Sequence, residues 1–172
     1  MTSFSVLAML GNHYCVSLLK EMQTAIEASE WPRAGERLRV FSVRADAYLS
    51  AETALLEPQP STASPVHRHR WLRLRRQQQH ILQRRQRLQA YVSARRAESS
   101  CRELAALIRL FAAHGRTGHY LLEALPQSEA LLQAFAERLQ GLDPEGDNQA
   151  QPPWVNAFNG HRLLERTDDD DS

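Results

Sequence analysis

The sequence predicts an all-α protein, and three observations carry that expectation. Leu, Ala, Arg, Glu and Gln, which favour helices, make up much of the 172 residues. Runs of alternating β-branched residues are absent, and prolines with small polar residues punctuate the chain at roughly helix-length intervals. A first helix is expected from about Ser5 to Ser29, stopping before Trp31-Pro32 because the residue preceding a proline avoids helical geometry. A second is expected from about Ala34 to Glu57, closed by Pro58, and residues 59–65 read as an inter-helix loop with cap chemistry. A third, rich in Arg and Gln, is expected from about Val66 to Ala97. A fourth should be capped by Ser99 or Ser100, with Glu103 completing a capping box, and continue to about Leu125. After Pro126 a short fifth helix covers about Ser128 to Leu139.

Four long helices with short connections pack most cheaply as an antiparallel up-down four-helix bundle. The expected organisation is therefore a bundle over residues 1–140 with a short extra C-terminal helix, followed by an extended acidic tail over 141–172. Within that tail Trp154, Val155 and Phe158 could dock on the body.

The 21 basic and 20 acidic residues give a formal charge of +1, but this average hides a dipole in sequence. Twenty of the basic residues are Arg, and the stretch from Gln59 to Ala97 holds ten of them with no Asp or Glu. From Leu142 onward eight acids, including Asp168 to Asp171, face only Arg162 and Arg166, a formal charge of −6. The expectation is that this tail folds back on the basic helix or competes with an acidic partner for it. No apolar run approaches the roughly 18 to 20 residues of a membrane span, and the start lacks the basic region and cleavage pattern of a secretory signal. Cys15 and Cys101 are too few for a disulfide framework, which points to a reducing cytoplasm. There is no phosphate-cradling glycine loop and no Gly-x-Ser-x-Gly elbow. Neither cysteine, nor any serine near a histidine, has a demonstrable third partner, so no catalytic constellation is found and no enzyme activity is expected.

Placing residues at about 100° intervals shows which polar groups the helices would bury. On the second helix Leu38, Phe41, Ala45, Tyr48, Glu52 and Leu55 share a face. A carboxylate on that face must be paired, protonated or bound to a cation, because unpaired burial costs several kcal/mol or more. On the fourth helix Leu104, Leu107, Phe111, His114, Gly118 and Leu122 share a face, with His119 at its edge about 80° from Phe111. His80 flanks the stripe of Leu74, Ile81, Leu88 and Val92 on the third helix, and His13 flanks Leu10, Tyr14 and Ser17 on the first. His67, His69 and His161 read as surface or tail residues. Imidazole and carboxylate groups converging from four helices are how metal sites in bundles are built.

The order of these motifs resembles the hemerythrin-like, or HHE cation-binding, family, over about residues 5 to 140. Asn12-His13-Tyr14-Cys15 resembles its first-helix His motif, and Glu30-Trp31 the turn after it. Tyr48 to Glu52, closed by Pro58, resembles the His-x-x-x-Glu of the second helix with Tyr in place of His. Gln79-His80 resembles the third-helix motif, and His114 to Gly118 the fourth, with glycine where the family has a carboxylate. The resemblance implies a ligand set of His13, Glu52, His80 and His114, with Tyr48 and His119 as substitute ligands. Three His and one carboxylate suit one non-haem Fe or Zn ion better than the family's di-iron centre.

Two functional readings follow. In the first, the chain is a divergent hemerythrin-like protein that binds or senses oxygen, nitric oxide or iron at a reduced metal site. In the second it is a metal-free helical interaction or regulatory module that has lost the di-iron centre and engages a protein partner through its Arg-rich third helix. The run His67 to Arg76 with Trp71 has the electrostatic footprint of nucleic-acid binding, but no helix-turn-helix or zinc-finger pattern accompanies it, which argues against that partner.

Overall fold

A computed structural model describes residues 3–57 and 63–140. The expected tail, with Trp154, Val155, Phe158 and Asp168 to Asp171, lies outside the described residues. The fold is all-α: α1 (Phe4–Glu27), α2 (Trp31–Leu56), α3 (Pro65–Ser93), α4 (Ala97–Glu123) and α5 (Glu129–Gln140), with no strand among the described residues. None of these helices is long and apolar enough to cross a membrane.

Local chemistry explains the boundaries, including those that differ from the sequence expectation. Ser3 caps α1 through a side-chain oxygen that accepts from the Val6 amide, satisfying one of the donors a helix start leaves unpaired. Ser64 does the same for α3 at the His67 amide, with Pro65 in the first turn, where its missing N–H removes no helical bond. Pro32 plays that part in α2, so the helix starts at Trp31 rather than near Ala34.

At the ends of α1 and α3 the chain takes the same turn. Ser29 and Arg95 adopt left-handed φ values of 59° and 52°. The amides of Glu30 and Arg96 then return to the carbonyls of Ala25 and Tyr91, a Schellman closure. That tight closure ends α3 at Ser93 and lets α4 begin at Ala97, earlier than a cap at Ser99 or Ser100 would allow. Ser100 is instead buried within α4, and Glu103 accepts an ion pair at 2.9 Å from Arg84 of α3. The expected capping box therefore gives way to an inter-helix bond.

Helix α1 packs against α2 and α4, α3 packs against α4 and more lightly against α2, and α5 lies against α2 and α1. The α2 and α4 stripes are buried as their periodicity predicts, except that Leu55 is half-buried and Leu56 takes the buried position. Phe41 and Phe111 meet edge to face at 5.7 Å across them. Phe4 of α1 meets Phe135 of α5 at 6.0 Å in the same manner. Helix α1 differs from expectation: its buried face is Phe4, Leu7, Gly11, Cys15, Leu18, Met22 and Ile26, while Leu10, Tyr14 and Ser17 sit at the half-buried edge. The larger apolar stripe fixes the rotation of the helix and turns His13 outward.

The left-handed Arg95 generates a direct test. A residue with a β-carbon is strained there by about 1–2 kcal/mol and glycine is not. Arg95→Gly should therefore raise the unfolding free energy by about 1 kcal/mol in urea titrations, and a loss would contradict the Schellman turn between α3 and α4.

Candidate functional site

Helices α2 and α4 bring Glu52 and His114 together at the centre of the core, where both side chains are fully inaccessible to solvent. His114 Nε2 lies 2.6 Å from Glu52 Oε2. Gln78 of α3 donates its amide to the same oxygen at 3.3 Å, and Tyr48, one turn before Glu52, donates its hydroxyl to Oε1 at 3.5 Å. The last two bonds are long, so the imidazole contact carries most of the stabilisation.

Each neighbour is itself fixed. The Oε1 atom of Gln78 is held by Thr53 at 3.2 Å and by Arg75 at 3.1 Å, which aims the amide NH2 group at Glu52. Tyr48 meets His114 edge to face at 5.8 Å. Burial first, and then the adjacent Glu52 carboxylate, push the Tyr48 phenol well above its ordinary value near 10, so it stays a neutral donor. Asn12 of α1 hydrogen-bonds Tyr48 and also donates to the Phe111 carbonyl of α4 at 2.9 Å. Gly115 makes this approach feasible, since a β-carbon there would stand 3.2 Å from the Asn12 amide. Gly118 matters more: a β-carbon added there would collide with Glu52 Oε1. At the position where the resembled family carries a carboxylate, this chain has an opening that the Glu52 side chain occupies.

The residues around Glu52 do not fit a metal ion. Among the described residues no group of three or more His, Cys, Asp or Glu side chains could hold one. Of the four ligands implied by the resemblance, Glu52 and His114 are brought together, while His13 and His80 are exposed on outer faces of α1 and α3. The two substitutes do not repair the set. Tyr48 is held as a phenol rather than a phenolate, and the exposed His119 bonds Glu123 at 3.3 Å. Gln78 presents its NH2 side, which has no lone pair to offer. A carboxyl group that meets an imidazole nitrogen, an amide N–H and a hydroxyl has its hydrogen-bond partners within the protein, whereas a cation site needs converging acceptors.

Two members of this network, Asn12 and Gln78, were not picked out from the sequence. Gln78 falls three residues before Ile81 and four after Leu74, which puts it on the buried stripe of α3. Asn12 precedes His13 and becomes inward once Phe4, Leu7, Gly11 and Cys15 set the phase of α1. While Nε2 of His114 faces Glu52, the other ring nitrogen, Nδ1, is buried with no hydrogen-bond partner among the described residues. Cys15 is a buried thiol pushed up to about 12 by desolvation, and so behaves as a small apolar group.

Family models, curated proteins and solved structures yield no match to this chain. The family resemblance therefore rests on the sequence motifs alone.

Two outcomes are expected from this geometry. Removing one partner of a buried hydrogen bond costs about 1–3 kcal/mol, and more where the group left behind is charged, whereas replacing both by apolar residues leaves no unsatisfied polar group. Glu52→Leu and His114→Leu should each destabilise by that order in denaturant titrations, and the double variant should be more stable than the worse single one. Strict additivity would contradict the pairing. The second outcome concerns alkaline pH. The Cys15 and Tyr48 groups ionise more easily in the unfolded chain than in the folded one, so their contribution is complete below about pH 9 and is lost as pH rises through their folded values. Stability should fall above pH 9, and Tyr48→Phe should flatten the part of that fall above pH 10; an unchanged alkaline limb would argue that Tyr48 is hydrated.

Proposed function

We propose that this chain is an antiparallel up-down four-helix bundle acting as a metal-independent interaction module, and that it engages an acidic protein segment through the outward face of α3. The observation that carries the reading is the chemistry of that face. Arg68, Arg73 and Arg76 are exposed, span about 12 Å of helix, and have no ion-pair partner among the described residues. Leu72, just over half exposed, sits among them as an apolar anchor. No acidic residue occurs anywhere in α3.

The C-terminal half of the helix is different, and the contrast supports the assignment. There Arg84 and Arg87 face Glu103, and Arg85 bonds Asp46. These cations hold α3 to its neighbours, which leaves the N-terminal half for another molecule. Arg is suited to this work because its planar guanidinium meets carboxylates in a bidentate fork. The donor shell around Glu52 supports metal independence, because it fills with protein groups the role that a cation fills in the resembled family.

Poly-glutamate is a suitable probe of the face. It should bind the full chain at low salt with affinity that falls as salt rises, and R68E/R73E/R76E should abolish the binding while leaving the thermal melt unchanged. Salt-insensitive binding, or equal binding by the triple variant, would contradict the interface. Anaerobic Fe(II) should leave the melting temperature unmoved, since only a ligand bound by the native state raises it. A rise with near-stoichiometric iron would restore the metal-binding reading.

A further inference from the structure

Between α1 and α4 the surface opens into a cleft of about 410 Å³, within the range of roughly 300–1,000 Å³ typical of small-molecule sites. It exists because the residues facing each other across it are small: Ala8 on α1, with Ala112 and Gly115 on α4. The glycine is needed for the Asn12 contact across the seam, so the gap follows from the way the two helices are tied together. Tyr48 reaches the floor of the cleft from α2, carrying the hydroxyl that bonds Glu52. Met9, Val16 and Ile108 supply apolar wall, and Met9 is 61% exposed, an adaptable apolar side chain left facing water.

The charge of the cleft is one-sided. No Asp or Glu is among its lining residues, and Arg116 and His13 stand on its rim. Arg116 is exposed with no acidic partner among the described residues, whereas His119, also on the rim, is engaged by Glu123. Arg116 is thus the one fixed charge of the described lining. An apolar trough with a single guanidinium at its edge is complementary to an apolar body bearing one negative charge.

We infer that this cleft binds a small amphipathic carboxylate, its apolar part lying along Met9, Val16 and Ile108 above Tyr48, and its carboxylate meeting Arg116 and His13. The site is separate from the outward face of α3, so either can fail without the other. Burial of the apolar part supplies the affinity and the guanidinium selects the sign of the head group.

Calorimetric titration of the full chain with three probes below their micelle concentrations tests this. Decanoate should bind at one equivalent, about ten-fold or more tighter than decanol, a gap of about 1.4 kcal/mol, and decyltrimethylammonium should not bind. Arg116→Ala should bring decanoate down to the level of decanol with the thermal melt unchanged. Ala112→Trp, at an exposed position on the cleft wall, should remove binding of both. Equal affinity for decanoate and decanol, absence of saturable binding, or indifference to Ala112→Trp would overturn the inference. So would decanoate binding that appears only when Trp154 and Phe158 are both replaced by Ala, because the chain's own C-terminal segment would then be the occupant.

Discussion

A carboxyl group in a dry core must be met by hydrogen-bond partners or by a cation, and the interior of this protein is arranged around that constraint at Glu52. Leaving it unmet would cost several kcal/mol, a large share of the roughly 5–15 kcal/mol that holds an ordinary domain together. The three groups that meet it come from three places: Tyr48 from its own helix, Gln78 from α3 and His114 from α4. The carboxylate therefore couples the register of α2, α3 and α4. A shift of any one helix by a residue would leave a buried carboxyl group without one of its partners, a penalty that non-directional packing alone would not impose.

The consequences spread outward from that point. Gly118 is small because Glu52 Oε1 fills the space a β-carbon would need. Arg75, half of whose role would otherwise read as surface charge, fixes the Gln78 amide and rests over the Trp71 ring at 5.6 Å. Asn12 ties α1 into the network through Tyr48 and the Phe111 carbonyl. The same contact forces α1 and α4 to approach through small residues, which opens the cleft beside them. A buried electrostatic requirement and a surface cavity are in this sense two effects of one packing arrangement.

The sequence made the helices legible because their signals are local. Periodicity placed the buried faces of α2 and α4, including Glu52 and His114, since a stripe of large apolar residues dictates which polar neighbours go inside with it. The start of α4 was less legible, because the Schellman turn at Arg95 is a left-handed residue without a glycine to announce it. The site was half legible. A histidine beside an apolar stripe can fall on either side of the solvent boundary, and His13 and His80 fell outside once the larger stripes of α1 and α3 set the rotation. Asn12 and Gln78 escaped because their chemistry is generic: only their contacts across to Tyr48 and Glu52 of α2 distinguish them from other polar side chains.

The central claim is that Glu52 is satisfied by protein donors, the nearest being the N–H of His114. Nitrogen-15 NMR of histidine-labelled full-length protein reads this directly. The account predicts one imidazole, assigned through loss of its signals in His114→Leu, with a slowly exchanging proton on Nε2 and none on Nδ1, unchanged on anaerobic addition of stoichiometric Fe(II) or Zn(II). An Nε2 without its proton, or a His114 signal that shifts or broadens away with one equivalent of metal, would contradict it.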